Sequence, residues 1–253
     1  MRTPAARRAR DIAVTILFFA LLIAMWETGM RWSGAKSYLL APPSAIVEEL
    51  WRSRGPLAEG SLKTLTEVFW GFVIALAVGV PVSALVFFSN SARRTVYPLL
   101  VALQSIPKVG LAPILVAWLG YGLSSKLTMA FLFAFFPIVV AGMGGLASTP
   151  AHLDEHFRAL RATRWQIFWR LRLPCALPAF VDGCKVAMPL AVIGAIVGEF
   201  VGSNDGLGNL ILTASGSGNT PLTFAALLMV TLLSLALFYG VEYWERFVWW
   251  RAA

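Results

Sequence analysis

Six stretches of the chain are apolar for long enough to cross a lipid bilayer: about 12–30, 64–88, 96–119, 127–147, 178–200 and 221–241. A hydrocarbon core near 30 Å thick takes roughly 20 helical residues. Inside it every backbone polar group must be satisfied without water, so only helices and closed barrels can span. The stretches show no alternation of apolar and polar residues, which excludes a barrel and leaves helices. Composition agrees: 13% of residues are charged and 58% hydrophobic, whereas soluble domains carry about 25% charged residues. No stretch is polar enough to form a soluble domain. The expectation is one all-α transmembrane domain over residues 1–253 with six spans.

Charge sets the orientation. Basic residues near membrane helices stay on the cytoplasmic side. With both termini inside, thirteen of the 21 Lys and Arg fall in cytoplasmic segments, six in outer ones and two within spans. The net charge of +8 would suggest nucleic acid in a soluble protein. Here it follows topology and anionic lipid headgroups, so the partner expected is membrane lipid and not nucleic acid. The first apolar stretch is preceded by Arg2, Arg7, Arg8 and Arg10 but is not followed by a small-residue cleavage site, so it reads as a retained helix rather than a signal peptide.

Between the first two spans, APPSAIVEELW predicts a short amphipathic helix with Ser44 as N-cap and Ile46, Leu50 and Trp51 on one side. Pro107 breaks or kinks the third span. GSNDGLGNLILTASGSGNTP at 202–221 reads as an outer loop, partly re-entrant around 207–212. Cys175 and Cys184 fall on one helix about 13 Å apart, too far for a disulfide. Ionisable residues within spans are functional candidates by default. Those singled out as candidates are Lys108, Asp182, Lys185 and Glu199. Asp182 and Lys185 share a helix face and can neutralise each other. Lys108 can face a pathway and attract an anion, or snorkel to the surface. Glu199, at the outer end of the fifth span, suits a gate or structural role.

The most polar stretch lies between the fourth and fifth spans, at 148–177. It holds both histidines, Asp154, Glu155 and five arginines. His152, Glu155 and His156 match H-x-x-E-H, an inverted zinc-protease pattern in which two histidines on one helix face bind metal. The pattern lacks a third ligand, and a solvated helix accounts for it better; no metal and no cofactor are assigned. No G-x-x-x-x-G-K-[ST] occurs, so this chain does not itself hydrolyse ATP through a P-loop. A secondary transporter would show symmetry between the two halves, and none is visible.

The same loop resembles the cytoplasmic loop of ABC-importer permeases, E-A-A-x3-G-x9-I-x-L-P. Glu155 takes the glutamate position, His156 and Phe157 replace the alanines, and Arg161 stands on the glycine. Leu171, Leu173 and Pro174 fall on I-x-L-P. The resemblance extends over about 40–247: PKVGLAPILVAWLGYGLSSK, AFFPIVVAGMGGL, GEF at 198–200 and GLGNLI at 206–211 are similar to the nitrate/sulfonate/taurine branch. It implies a six-helix, type I (MetI-like) fold and a transport subunit, not an enzyme, in the bacterial inner membrane. The implied partners are two cytoplasmic ABC ATPase subunits, a second copy of the chain and an extracytoplasmic substrate-binding protein. Glu155, Phe157, Ala159, Arg161, Thr163, Arg164, Trp165 and Pro174 become ATPase-docking residues, and the four intramembrane ions become pathway candidates. The implied cargo is a small anion such as nitrate, taurine or an alkanesulfonate. A vitamin precursor such as a pyrimidine is the alternative. Arg161 departs from the family pattern. If the backbone there needs positive φ, a side chain costs about 1 kcal/mol or more, unless the bend or the partner differs.

Overall fold

A computed structural model describes the backbone of residues 4–32 and 40–249 and the side chains of 13–32 and 40–246. The basic residues ahead of the first span and the end of the tryptophan-rich tail therefore lie outside the described side chains. Every regular element among the described residues is helical. Five helices are long and apolar enough to span a bilayer, or six if one bent pair is a single span. The chain divides into two compact units, one of 1–58 with 210–228, the other of 59–209 with 229–253.

The smaller unit contains α1 (Pro4–Trp32) and α2 (Pro43–Arg52). Ser44 is not the N-cap expected of it: Pro42 holds that place, with Pro43 at the first helical position, where a fixed φ and a missing N–H cost nothing. Ser44 instead ties α2 to α1, its N–H and hydroxyl both donating to the Glu27 carboxylate at 3.0 and 2.8 Å. Arg31 pairs with the same carboxylate. The apolar surface of α1 is uncovered along Ala13–Trp32, as lipid-facing surface would be.

The larger unit is built on three long helices, α3 (Arg54–Phe88), α6 (Leu123–Ala147) and α9 (Leu173–Gly202). Their contact surface is made of small residues: Ala75, Ala130, Ala134, Ala187, Ala191 and Ala195 are all fully buried. Apolar surface alone does not drive helices together in lipid, so close packing of small side chains has to. At Gly194 a Cβ would stand 2.6 Å from the Met129 carbonyl oxygen, so the α6 and α9 backbones touch there.

Between α3 and α6 the chain forms α4 (Asn90–Ser105), a 3-10 turn (Lys108–Leu111) and α5 (Ala112–Leu119). The axis turns by 86° at the break. Pro107 is the cause: it pushes Ile106 to an extended ψ of 130° and offers no N–H to a continuing helix. α10 (Leu207–Gly216) and α11 (Thr220–Trp249) complete the chain. α10 fills the stretch read as re-entrant.

Two spans start earlier than hydropathy suggests. α3 begins at Arg54 rather than near 64, because hydropathy marks where apolar residues begin and not where helix begins. The fifth begins at Arg164 rather than 178, in one run to Gly202. Pro174 and Pro178 lie inside that run instead of marking entry to it. Leu173 N–H reaches back five residues to Phe168, forming a π turn over Phe168–Arg172. This turn precedes Pro174, where the ordinary helical donor is missing.

Candidate functional site

The polar loop folds as two short helices. α7 (Ala151–Ala159) follows Pro150. Leu153, Asp154 and Phe157 are half-buried, while His152, Glu155, His156, Ala159 and Leu160 face outward. Leu153, Phe157 and Leu160, spaced i, i+4 and i+7, do not form one stripe: the first two turn inward and Leu160 is exposed. Asp154 locks the helix down. It accepts from Arg158 at 2.8 Å on its own helix and from Arg172 at 3.0 Å at the foot of α9. The Arg172 guanidinium, helped by Arg158, holds the Asp154 carboxyl below the usual carboxylate range. Arg172 also stacks on Phe87 at the end of α3, 5.0 Å from the ring centre. One acid thus joins α7 to two long helices.

After α7 the chain bends at the position where the resemblance places a glycine. Arg161 has φ of 55°, the only positive φ at a non-glycine among the described residues. Ala162 N–H closes the turn on the Phe157 carbonyl at 3.0 Å. The chain therefore keeps a left-handed bend without its glycine. Thr163 then caps α8 (Arg164–Ile167): its hydroxyl accepts from Gln166 N–H while the Gln166 side chain accepts from Thr163 N–H. This capping box makes Thr163 a positioning residue within the loop. Arg161→Gly should relieve about 1 kcal/mol of local strain and slow amide hydrogen exchange across 157–163. Unchanged or faster exchange would contradict the strain.

The H-x-x-E-H residues lie exposed on α7, and no group of three His, Cys, Asp or Glu among the described residues is placed to hold a metal. Cys175 and Cys184, both on α9, are free thiols.

At the end of α9 far from this loop lies a buried ionic cluster. Glu199, one of the four candidates, is its centre and is fully buried. It accepts from the Thr64 hydroxyl of α3 at 2.6 Å and from Gly208 N–H at the start of α10. Thr64 in turn accepts from Leu207 N–H at 3.0 Å. Beside it, Lys126 on α6 bridges Glu67 on α3 at 2.6 Å and Asp205 at 2.7 Å. The hydrogen bond from Lys126 keeps Asp205, in the loop after α9, below its ordinary range. Gly206, at φ 96°, lets the chain pass against the Glu199 carboxyl with no room for a Cβ. Glu67, Lys126 and Asp205 were missed from sequence. Glu67 sits inside an apolar run, where an acid is a signal in itself. Lys126 falls just outside the fourth apolar stretch at 127–147, and Asp205 lies in the Gly- and Asn-rich outer loop.

The other candidates are not brought to this cluster. Lys185 pairs with Asp182 at 3.4 Å, as its spacing suggests, and also with Glu245 on α11. Lys108 sits on the 3-10 turn, its ammonium 5.3 Å from the Phe133 ring centre. It borders a cavity of about 240 Å³ whose lining includes Leu103, Gln104, Phe131, Phe135 and Phe136.

Residues 67–250 match the family model described as "Binding-protein-dependent transport system inner membrane component". The chain belongs to this family. It is therefore a multi-pass inner-membrane component of an ABC importer, a transport subunit and not an enzyme. The formylaminopyrimidine transport permease of Halalkalibacterium halodurans is 37% identical over 95% of this chain and 96% of the relative. The riboflavin transport system permease of Chloroflexus aurantiacus is 34% identical, over 97% and 91%. The taurine transport system permease of Escherichia coli is 23% identical, over 94% and 89%. The inward-facing MetNI methionine ABC transporter shares the fold, with TM-score 0.69 and 24% identity over 78% of this chain and 98% of that one. The expected MetI-like fold is thereby shown.

Proposed function

We propose that this permease moves a small, neutral nitrogen heterocycle of the vitamin-precursor kind. The observation that carries this is the cavity beside Lys108. Three phenylalanines and several aliphatic side chains line it, with Gln104 and one cation at its edge. A flat heteroaromatic ring can stack on such walls and use Gln104 and Lys108 for its polar rim. A sulfonate or nitrate would find a single positive charge already engaged with an aromatic face. The relatives named for a formylaminopyrimidine and for riboflavin are also more similar to this chain than the one named for taurine.

In this reading two copies form the pathway and two cytoplasmic ATPases take the two α7 helices through their outward faces, at Glu155 and Ala159. A binding protein delivers substrate at the opposite end. Both termini are cytoplasmic. Closure of the ATPases is carried by α7, through Asp154 and the rigid Thr163 cap, into α9 and α3 as levers. The Lys126–Glu199 cluster holds the far ends of the same helices together, so that the levers move as one body. Asp182 and Lys185 serve structure through Glu245.

The test is uptake by the full importer of labelled formylaminopyrimidine against labelled taurine, each with tenfold excess of the other. Pyrimidine uptake that taurine does not compete supports the proposal, and Lys108→Ala should lower it about tenfold at unchanged membrane abundance. Taurine uptake with no pyrimidine uptake would return the substrate to the anion class.

A further inference from the structure

Beside the polar loop lies a cavity to which the transport reading above gives no role. It measures about 410 Å³ and is lined by Phe87 and Phe88 from the end of α3, Asp154 and Arg158 from α7, Arg164 and Ile167 from α8, and Arg172. Three guanidinium groups meet one carboxylate there. Asp154 engages Arg158 and Arg172, and no acid among the described residues pairs with Arg164. The site therefore keeps an excess positive charge.

An aromatic apron adjoins the opening. Phe168 stacks edge-on with Phe88 at 5.1 Å and with Trp169 at 5.4 Å, and Trp165 packs on both Phe168 and Trp169. Phe88, Trp165 and Trp169 are each half-exposed or more, at 54%, 68% and 50%. These residues end one spanning helix and begin another, the level at which tryptophans sit among lipid headgroups. A basic pocket between membrane helices, bordered by exposed aromatics at that level, matches an anionic phospholipid, phosphate inside and acyl chains over the rings.

We infer that Arg158, Arg164 and Arg172 bind the phosphodiester headgroup of an anionic phospholipid, which wedges between α7 and the end of α3. The lipid would fix the angle of α7 to the spans, so the coupling loop would respond to membrane composition. The inference rests on the membrane placement of α3 and α9 and on the cytoplasmic side assigned to α7, not on the substrate.

The experiment is native mass spectrometry of the purified, delipidated full chain, titrated with phosphatidylglycerol or phosphatidylcholine, with and without millimolar inorganic phosphate. One phosphatidylglycerol per chain is expected, in clear preference to phosphatidylcholine. Arg164→Gln should weaken it about fivefold and Arg158→Gln/Arg164→Gln about 25-fold, while Arg164→Lys should restore part of the preference. Equal retention of the two lipids, or full retention by the double variant, would overturn the site. Competition by free phosphate would overturn the lipid assignment in favour of a soluble phosphate. ATPase co-purification scored on the same variants separates the readings. Loss of the ATPase with lipid still bound would give these arginines to the ATPase instead, and loss of lipid with the ATPase retained would leave the importer reading intact.

Discussion

Lys126→Met should lower the stability of the purified chain by about 3–5 kcal/mol. The ammonium is buried, with 5% of its side chain exposed, and bridges Glu67 at 2.6 Å and Asp205 at 2.7 Å. Removing it leaves the Glu67 carboxylate, itself 3% exposed, beside Glu199 with no cation. Most of the cost comes from that abandoned charge rather than from the pair's own attraction. Asp205 keeps Lys63 at 3.6 Å and is half-exposed, so it can relax into water. The measurement is thermal unfolding in detergent, with Lys126→Met/Glu67→Met as companion. The single variant should lose many degrees and the double variant should recover much of the loss, because an apolar pair of similar volume leaves no buried ion. A single variant melting within about 2 °C of the parent would show that the cluster does not hold α3, α6 and the end of α9 together.

Gly194→Val should be nearly as damaging, by about 3 kcal/mol. The nearest neighbours of an added Cβ are the Met129 carbonyl oxygen at 2.6 Å and the Ala130 Cα at 2.9 Å. Both are backbone, so no side chain can swing aside. Relief requires α6 and α9 to separate, which also opens the contacts of Ala130, Ala191 and Ala195. Gly144→Ala is the control, since nothing lies within 4 Å of its Cβ position. The variant should shift the melting curve strongly and the control hardly at all. Equal shifts would mean that helix propensity, not backbone contact, sets the cost.

How far the sequence could be read depends on the physics behind each feature. Span number and the Pro107 break were legible because a bilayer imposes a length and proline removes a donor. Span starts were not, because hydropathy reports where apolar residues begin and not where helix begins. α3 thus adds a polar lead from Arg54, and the Arg164–Gly202 run takes in Pro174 just after a π turn and continues through Pro178. In the loop, Glu155 and Arg161 were picked from a pattern of spacing. Spacing could not show that Asp154, treated as one charge among several, is the residue that ties α7 to Arg172. Nor could it reveal the Glu67–Lys126–Asp205 set, whose members are 59 and 79 residues apart. Periodicity reports local order, and these contacts are long-range. The preference for an anion came from the resemblance to the nitrate/sulfonate/taurine branch, with Lys108 and Lys185 as compatible charges. It weakened once Lys185 was found tied to Asp182 and Glu245 and Lys108 facing an aromatic ring.

The central claim is that α7 couples this permease to an ATPase. The most direct measurement is gentle detergent extraction of the tagged chain at native expression, followed by mass spectrometry of what co-purifies, for the parent and for Glu155→Arg. The account predicts a P-loop ATPase with the parent, lost from Glu155→Arg while the permease itself stays folded and abundant. An ATPase retained in full by Glu155→Arg, or absent from the parent, would contradict it.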